Sequence, residues 1–468
     1  MTELPEWVLK WKGKNIEVHK RRNNYYAYRV TSVYDPSIKR SRKVTLEYLG
    51  KITPDGIIPP KHKRKPSAVL EAGNIQYIAK FTKELEEPLK QVWPDKWESL
   101  LSLATLKLSY LDPLKRIEMR HETTISKYLW PNARLSKNAI TNLLFSVGTD
   151  YGSQCKFFQL LSSRDTYIAI DLTHIFSHSK NISWAEKGYN YLGISNNQLE
   201  ILLMWALGIN RPVFIRLLPG SASSAKNLIL GIIESGIKNA VVIADKGFYS
   251  KENIEELEKR NIHYILPLRR DLPFLRYLPH EQYKEYFMYR ENAQWYVEWE
   301  WEGRRIIMYL DKKLAAEEEN NFLRHVEEGT RKREDYSKER NRFGTLAIIT
   351  DLGESPEEIY KMYKRRKEIE EVFDEFKNTL EADEALRQSR ESLQGYLFVM
   401  LLALHLYTQI QEHLARKNLL KDYSVHDVLW HLSKLYVVEL EGEILQTEVP
   451  KTTRKLIEKL EVNLLRKI

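Results

Sequence analysis

The clearest periodicity in the chain runs from Glu354 to Leu380, ESPEEIYKMYKRRKEIEEVFDEFKNTL. Apolar Met362, Ile369, Val372, Phe373, Phe376 and Leu380 recur at helical spacing. At about 100° per residue they fall within a sector of about 100°, the stripe of a helix that packs on a core. Ser355 as cap, Pro356 at the first helical position and Glu358 completing a capping box predict the start. Tyr363, Arg366, Glu370 and Lys377 occupy a second stripe, about 60° wide, along the border of the apolar one. Such a row is either a solvated flank laced with Glu–Arg and Glu–Lys pairs or a set of working groups.

Elsewhere the pattern changes period several times. Residues 1–66 are β-rich: NYYAYRVTSVYD and SRKVTLEYLGKI alternate about Asp35–Pro36, Asp55–Gly56 marks a further turn, and PPKHKRKP is a basic linker. From 67 to 164 the spacing is helical, with Ser136 as one cap; this region is expected to be a DNA-binding domain, although no diagnostic signature is present. An alternating α/β block occupies 165–269. In it DTYIAID and NAVVIAD are strands ending at Asp171 and Asp245, LEILLMWALG and RPVFIRLLPG form a hairpin, and Ser250 caps the helix SKENIEELEKRN. A β meander with a charged helix fills 270–343. GTLAIITD resumes the α/β block at 344–416, and 417–468 is expected to be helical. The fold class predicted is α/β, its core interrupted by an all-β insertion and flanked by helical N- and C-terminal regions.

Composition narrows the partner. The 468 residues include 73 basic and 64 acidic side chains, a formal charge of +9, which suggests a polyanion bound at a basic patch. The single cysteine, Cys155, excludes an intrachain disulfide framework and reads as an inert core thiol. MTELPEWVLKWKGK has no signal-peptide core, and YLFVMLLALHLY is too short to span a bilayer, so an intracellular, soluble protein is expected.

Three carboxylates stand out by context. Asp171 and Asp245 each follow an apolar strand, and groups beyond strand ends are where open α/β sheets carry function. Glu370 lies on a helix that follows a strand of the same block. Three converging acids need a cation between them, and magnesium or manganese suits carboxylate oxygens while leaving room for water and phosphate. Two such ions would serve an in-line phosphoryl transfer. Taken singly, each aspartate is equally readable as a turn former.

The spacing Tyr363-x2-Arg366-x3-Glu370-x6-Lys377 resembles the Tyr–Arg–Glu–Lys signature of DDE transposases from bacterial and archaeal insertion sequences. ADKGFYS is similar to the second motif of that family and IAIDLTHI to the first, with Leu172 where the family often has glycine. The resemblance covers roughly 115–416. It implies a ribonuclease H-like catalytic core with a β-rich insertion. Asp171, Asp245 and Glu370 would be catalytic and hold two Mg2+ or Mn2+ ions, while Tyr363, Arg366, Lys377 and Lys246 would contact DNA. It also implies cut-and-paste transposition on double-stranded DNA at terminal inverted repeats and a target, a homodimer on DNA, and a cytoplasmic, nucleoid-associated location. The alternatives are a transposase-derived DNA-binding protein without catalysis and a ribonuclease H-like nuclease or resolvase.

Trp295, Trp299 and Trp301 alternate along one strand; packing within the meander is the favoured reading, stacking on a flipped base the other. His174 and His178 lack the glutamate of a zinc helix, and no phosphate-loop or dinucleotide glycine motif occurs.

Overall fold

The computed structural model describes residues 4–36, 39–60, 66–162, 167–176, 182–187, 197–220, 225–237, 240–366, 389–440 and 443–464. Glu370, Lys377, His178 and the apolar positions Ile369 to Leu380 lie outside these residues; of Asp171, Thr173 and His174 the backbone alone is described.

The chain opens with an antiparallel sheet of β1 (Ile16–Arg21), β2 (Asn24–Asp35), β3 (Arg40–Thr53) and β4 (Gly56–Ile58), in that order. The alternation of β2 puts Tyr25 and Ala27 inward, where they meet Val8 and Ile52 in a small core of their own. β5 (Ala68–Glu71) then departs from the expected helical pattern. It pairs with β16 (Tyr436–Leu440), which pairs in turn with β17 (Glu443–Gln446). The C-terminal region is therefore not all helical. Pairing with a distant strand overrides the weak local preference of AVLE, and Val437 and Val438 supply β-branched side chains to the partner.

The central sheet contains β6 (Tyr167–Phe176), β7 (Glu186–Lys187), β8 (Asn197–Ala206), β9 (Arg211–Pro219), β10 (Val241–Ile243), β11 (His263–Pro267), β12 (Glu285–Tyr289), β13 (Asn292–Trp301), β14 (Arg304–Asp311) and β15 (Thr345–Thr350). Its order is β12-β13-β14-β15-β11-β10-β6-β8, with β9 and β7 both on β8. β6, β10 and β11 are parallel; β8, β9 and β15 run antiparallel to their neighbours. The expected hairpin β8–β9 is present, and both strands are buried along nearly their whole length. The meander β12–β14 does not stand apart. β14 pairs with β15, so these strands continue the same sheet.

Helices cover the sheet. Arg390–Arg416 is the central one: 94% of its apolar window is buried inside the fold, although by length and composition it could cross a membrane. It crosses Lys137–Thr149 with the two backbones in close approach. A methyl on Gly148 would overlap the Glu391 carbonyl, and one on Gly395 would overlap that of Leu144. Buried amides thread the same layers. Gln394 accepts from the Leu217 N–H of β9 (2.8 Å) and donates to Gln154 (2.8 Å), which donates to the Val147 carbonyl (2.8 Å). Each of these would be costly unpaired in so dry a place.

Candidate active site

Register brings the first two carboxylates level. In the parallel pair β6–β10, Val241 lies opposite Tyr167 and Ile243 opposite Ala169. Two residues further along each chain are Asp245 and Asp171. Adjacent strands lie about 4.8 Å apart, so these backbones leave the shared region side by side. β6 itself does not end at Asp171, as its sequence suggested, but continues to Phe176 because β8 pairs with it that far. β10 stops opposite Ala169, two residues before Asp171.

Asp245 is held by a compact turn. Its Oδ1 accepts the Lys246 N–H at 2.7 Å, the ring of Phe248 is buried, and Asn253 donates to the Phe248 carbonyl at 2.6 Å. Ser250 then caps Lys251–Glu258 as predicted. ADKGFYS thus works as a clip: an apolar anchor holds the loop while the carboxylate, 58% exposed, stays open.

The helix of the opening motif spans 356–366 within the described residues. Its capping box is formed, with Ser355 N–H donating to Glu358 Oε2 (3.1 Å) and Glu358 N–H to Ser355 Oγ (3.3 Å). Ile359 and Tyr360 are buried beneath it, two anchors the periodicity count omitted. The meander supplies their seat. Tyr360 packs against Phe287, Tyr289 and Tyr309 at centroid distances of 5.4, 5.3 and 4.9 Å, and its hydroxyl donates to Gln294 at 3.0 Å. Burial raises its pKa well beyond the usual phenol value. Arg305 donates to the Leu352 and Glu354 carbonyls and fixes the loop entering the helix.

So positioned, the helix carries Tyr363 to a cleft of about 670 Å³ whose walls include Asp245, Lys246, Arg269, Asp271 and Leu346. One turn on, Arg366 Nη2 lies 3.7 Å from Asp245 Oδ1. Arg366 was expected to face DNA; it is buried and faces the carboxylate instead. Four of the seven expected site residues, Asp245, Lys246, Tyr363 and Arg366, are therefore together, and the Asp171 backbone adjoins them.

Arg269 is a cation that sequence reading missed. It is exposed at the cleft, just past the end of β11 and 3.8 Å from Asp271. Its position beyond a strand parallel to β10 was the available signal. Arg270 differs: it makes a two-pronged contact with Glu318 (2.9 and 3.1 Å) and donates to the Thr345 carbonyl, so it is structural. The tryptophans are partly buried, with Trp301 stacked on Phe274 at 3.9 Å and Lys312 3.9 Å from the Trp295 ring. Burial pushes the Cys155 thiol up to about 11, which leaves it inert at neutral pH.

Among the described residues, no three His, Cys, Asp or Glu side chains cluster as a metal site; two of the three expected carboxylate side chains are outside that set. What is present fits a hard cation: an exposed carboxylate in a polar cleft, level with a second aspartate.

A sequence model of the transposase DDE domain matches residues 168–406, just over half of the chain. Among solved structures, that of the piggyBac transposase synaptic complex with hairpin DNA is similar over 80% of this chain and 81% of that one, at 9% identity and a TM-score of 0.39. No curated protein sequence matches.

Proposed function

The chain belongs to the transposase DDE domain family and is a DDE transposase, an enzyme that cuts and rejoins DNA; from this premise we propose that Asp171, Asp245 and Glu370 are its catalytic carboxylates. The observation that supports the assignment is the β6–β10 register, whose last pair, Ile243 and Ala169, lies two residues before Asp245 and Asp171. The strand order β9-β8-β6-β10-β11, antiparallel for the first three and parallel for the last, supports a ribonuclease H-like core. The meander β12–β14 is then the insertion, and its role is to seat the helix that leads to Glu370.

The family depends on divalent metal. Asp171, Asp245 and Glu370 would hold two Mg2+ or Mn2+ ions, which when bound would polarise the scissile phosphate and activate the attacking oxygen. The protein's own groups do the rest. Arg366, buried under Asp245, fixes that carboxylate and gives the cleft floor a positive potential. Lys246, Arg269, Tyr363 and Lys377 meet DNA phosphates and offset the charge that the acids repel. Water first hydrolyses a phosphodiester at each element end. The freed 3′-hydroxyl then attacks a target phosphodiester, expelling the 3′ oxygen of the broken target strand. Joining two ends calls for a homodimer on DNA, and the site of action is the cytoplasmic nucleoid.

Strand cleavage of a duplex carrying an element end, with magnesium or manganese, is the test. Wild type nicks the end and Glu370→Gln does not; equal nicking by both removes the assignment.

A further inference from the structure

The positive charge of this protein is not spread over it. Of its 73 basic residues 16 lie in the first 66, with only 6 of its 64 acidic ones. That segment carries +10, against +9 for the whole chain, so the other 402 residues together are at −1. Residues 67–164, which read as a helical DNA-binding domain, carry only +3. A polyanion is therefore drawn first to the N-terminal sheet.

Within that sheet one part is shaped for such a partner. β1 pairs with β2 only as far as Arg29, and β4 pairs with β3 only over Lys51–Thr53. Beyond these limits, apart from the Val30 N–H that donates to the Asn15 carbonyl at 2.8 Å, Val30–Asp35 and Arg40–Thr45 pair only with each other, six rungs of two-stranded ribbon. At about 3.4 Å per residue it is about 20 Å long. It adds nothing to the small core of Val8, Tyr25, Ala27 and Ile52. Past buried Val30 its faces are open: Val33 is 47% and Tyr34 61% exposed, and Arg40, Arg42 and Lys43 point to solvent. Arg42 pairs with Asp35 at 3.3 Å and Lys43 with Glu17 at 3.6 Å. Exposed pairs of this kind are weak, and a phosphate can displace either acid.

We infer that the ribbon Val30–Asp35/Arg40–Thr45 is a DNA-docking arm that enters the major groove of duplex DNA, with Arg40, Arg42 and Lys43 on the flanking phosphates. The inference rests on the transposase reading for its choice of polyanion. Shape supplies the rest. The major groove of B-DNA, about 12 Å wide, admits a two-stranded ribbon, whereas the deep, narrow major groove of duplex RNA does not.

The test is equilibrium binding of the full chain to duplexes taken from the DNA flanking its gene, over a range of salt and with EDTA present. The triple variant Arg40→Ala/Arg42→Ala/Lys43→Ala, whose positions lie outside both cores, is expected to bind roughly tenfold or more weakly. Its salt slope should fall by about 3, one unit for each phosphate released. Wild-type affinity and slope in a variant of unchanged thermal midpoint overturn the proposal. So does wild-type protein that binds an RNA duplex of the same sequence as tightly as the DNA. If the wild-type chain cuts no DNA while the ribbon variant still loses binding, the catalytic reading fails and this one stands.

Discussion

Arg366 and Asp245 face each other across 3.7 Å, the arginine side chain 7% exposed and the aspartate 58%. One partner belongs to the core, the other to the cleft. A buried guanidinium beneath an open carboxylate fixes where that carboxylate points, and its field is little screened from that side.

Arg366 should therefore act through Asp245. Arg366→Ala is expected to lower cleavage about 10- to 100-fold and to raise the Mg2+ or Mn2+ concentration needed, with DNA affinity little changed. Arg366→Lys should recover part of the loss. A metal titration of cleavage rate, run beside a binding isotherm, checks this; unchanged metal dependence in Arg366→Ala contradicts it.

Asp245→Asn is the cleaner catalytic test. Asparagine keeps the oxygen that accepts the Lys246 N–H but removes the charge opposite buried Arg366, so stability should fall by about 1–2 kcal/mol. Cleavage should fall at least about 1000-fold, the equivalent of about 4 kcal/mol of lost transition-state stabilisation. Single-turnover nicking and thermal unfolding together separate the two effects.

The crossing of Lys137–Thr149 with Arg390–Arg416 tolerates no methyl group. Gly148→Ala and Gly395→Ala each force backbone apart from backbone and should cost about 2–3 kcal/mol. Denaturant midpoints measure this. Gly152→Ala is the control, because a methyl there meets open space.

Glu258 ties the meander to the core. It accepts from Arg304 through both oxygens at 2.8 Å and from the Tyr264 hydroxyl at 2.8 Å. The hydrogen bonds from Arg304 hold its pKa below the usual glutamate value. A depressed folded value means stability that is present above the unfolded pKa, about 4.3, and is lost as pH falls through the folded one. Arg304→Met should thus lower the thermal midpoint at pH 7. Its deficit relative to wild type should shrink below about pH 4. A deficit independent of pH would show that packing alone is at stake.

Local chemistry was legible from sequence. The capping box at Ser355, the cap at Ser250 and the β8–β9 hairpin all formed where their residues predicted them, because each depends on neighbours within a few positions. What sequence concealed was set by distant partners. β5 became a strand because β16 lies beside it, and β6 outran Asp171 because β8 does. Arg366 read as a surface cation because its own helix shows only a border stripe; Asp245, just past β10, is a partner that the helix alone does not reveal. Of that stripe, Tyr363 reaches the cleft and Arg366 turns to Asp245, and the periodicity did not say which way either would face.

The crossing at Gly148 and Gly395 also bears on how the protein is made. Trp93 and Phe157 both rest on Phe398, so the early helices close their core only on a segment that leaves the ribosome late. A product terminated before residue 390 would emerge with that apolar seat uncovered and be fit only for degradation or aggregation. Synthesis interrupted before that helix therefore yields no closed helical core.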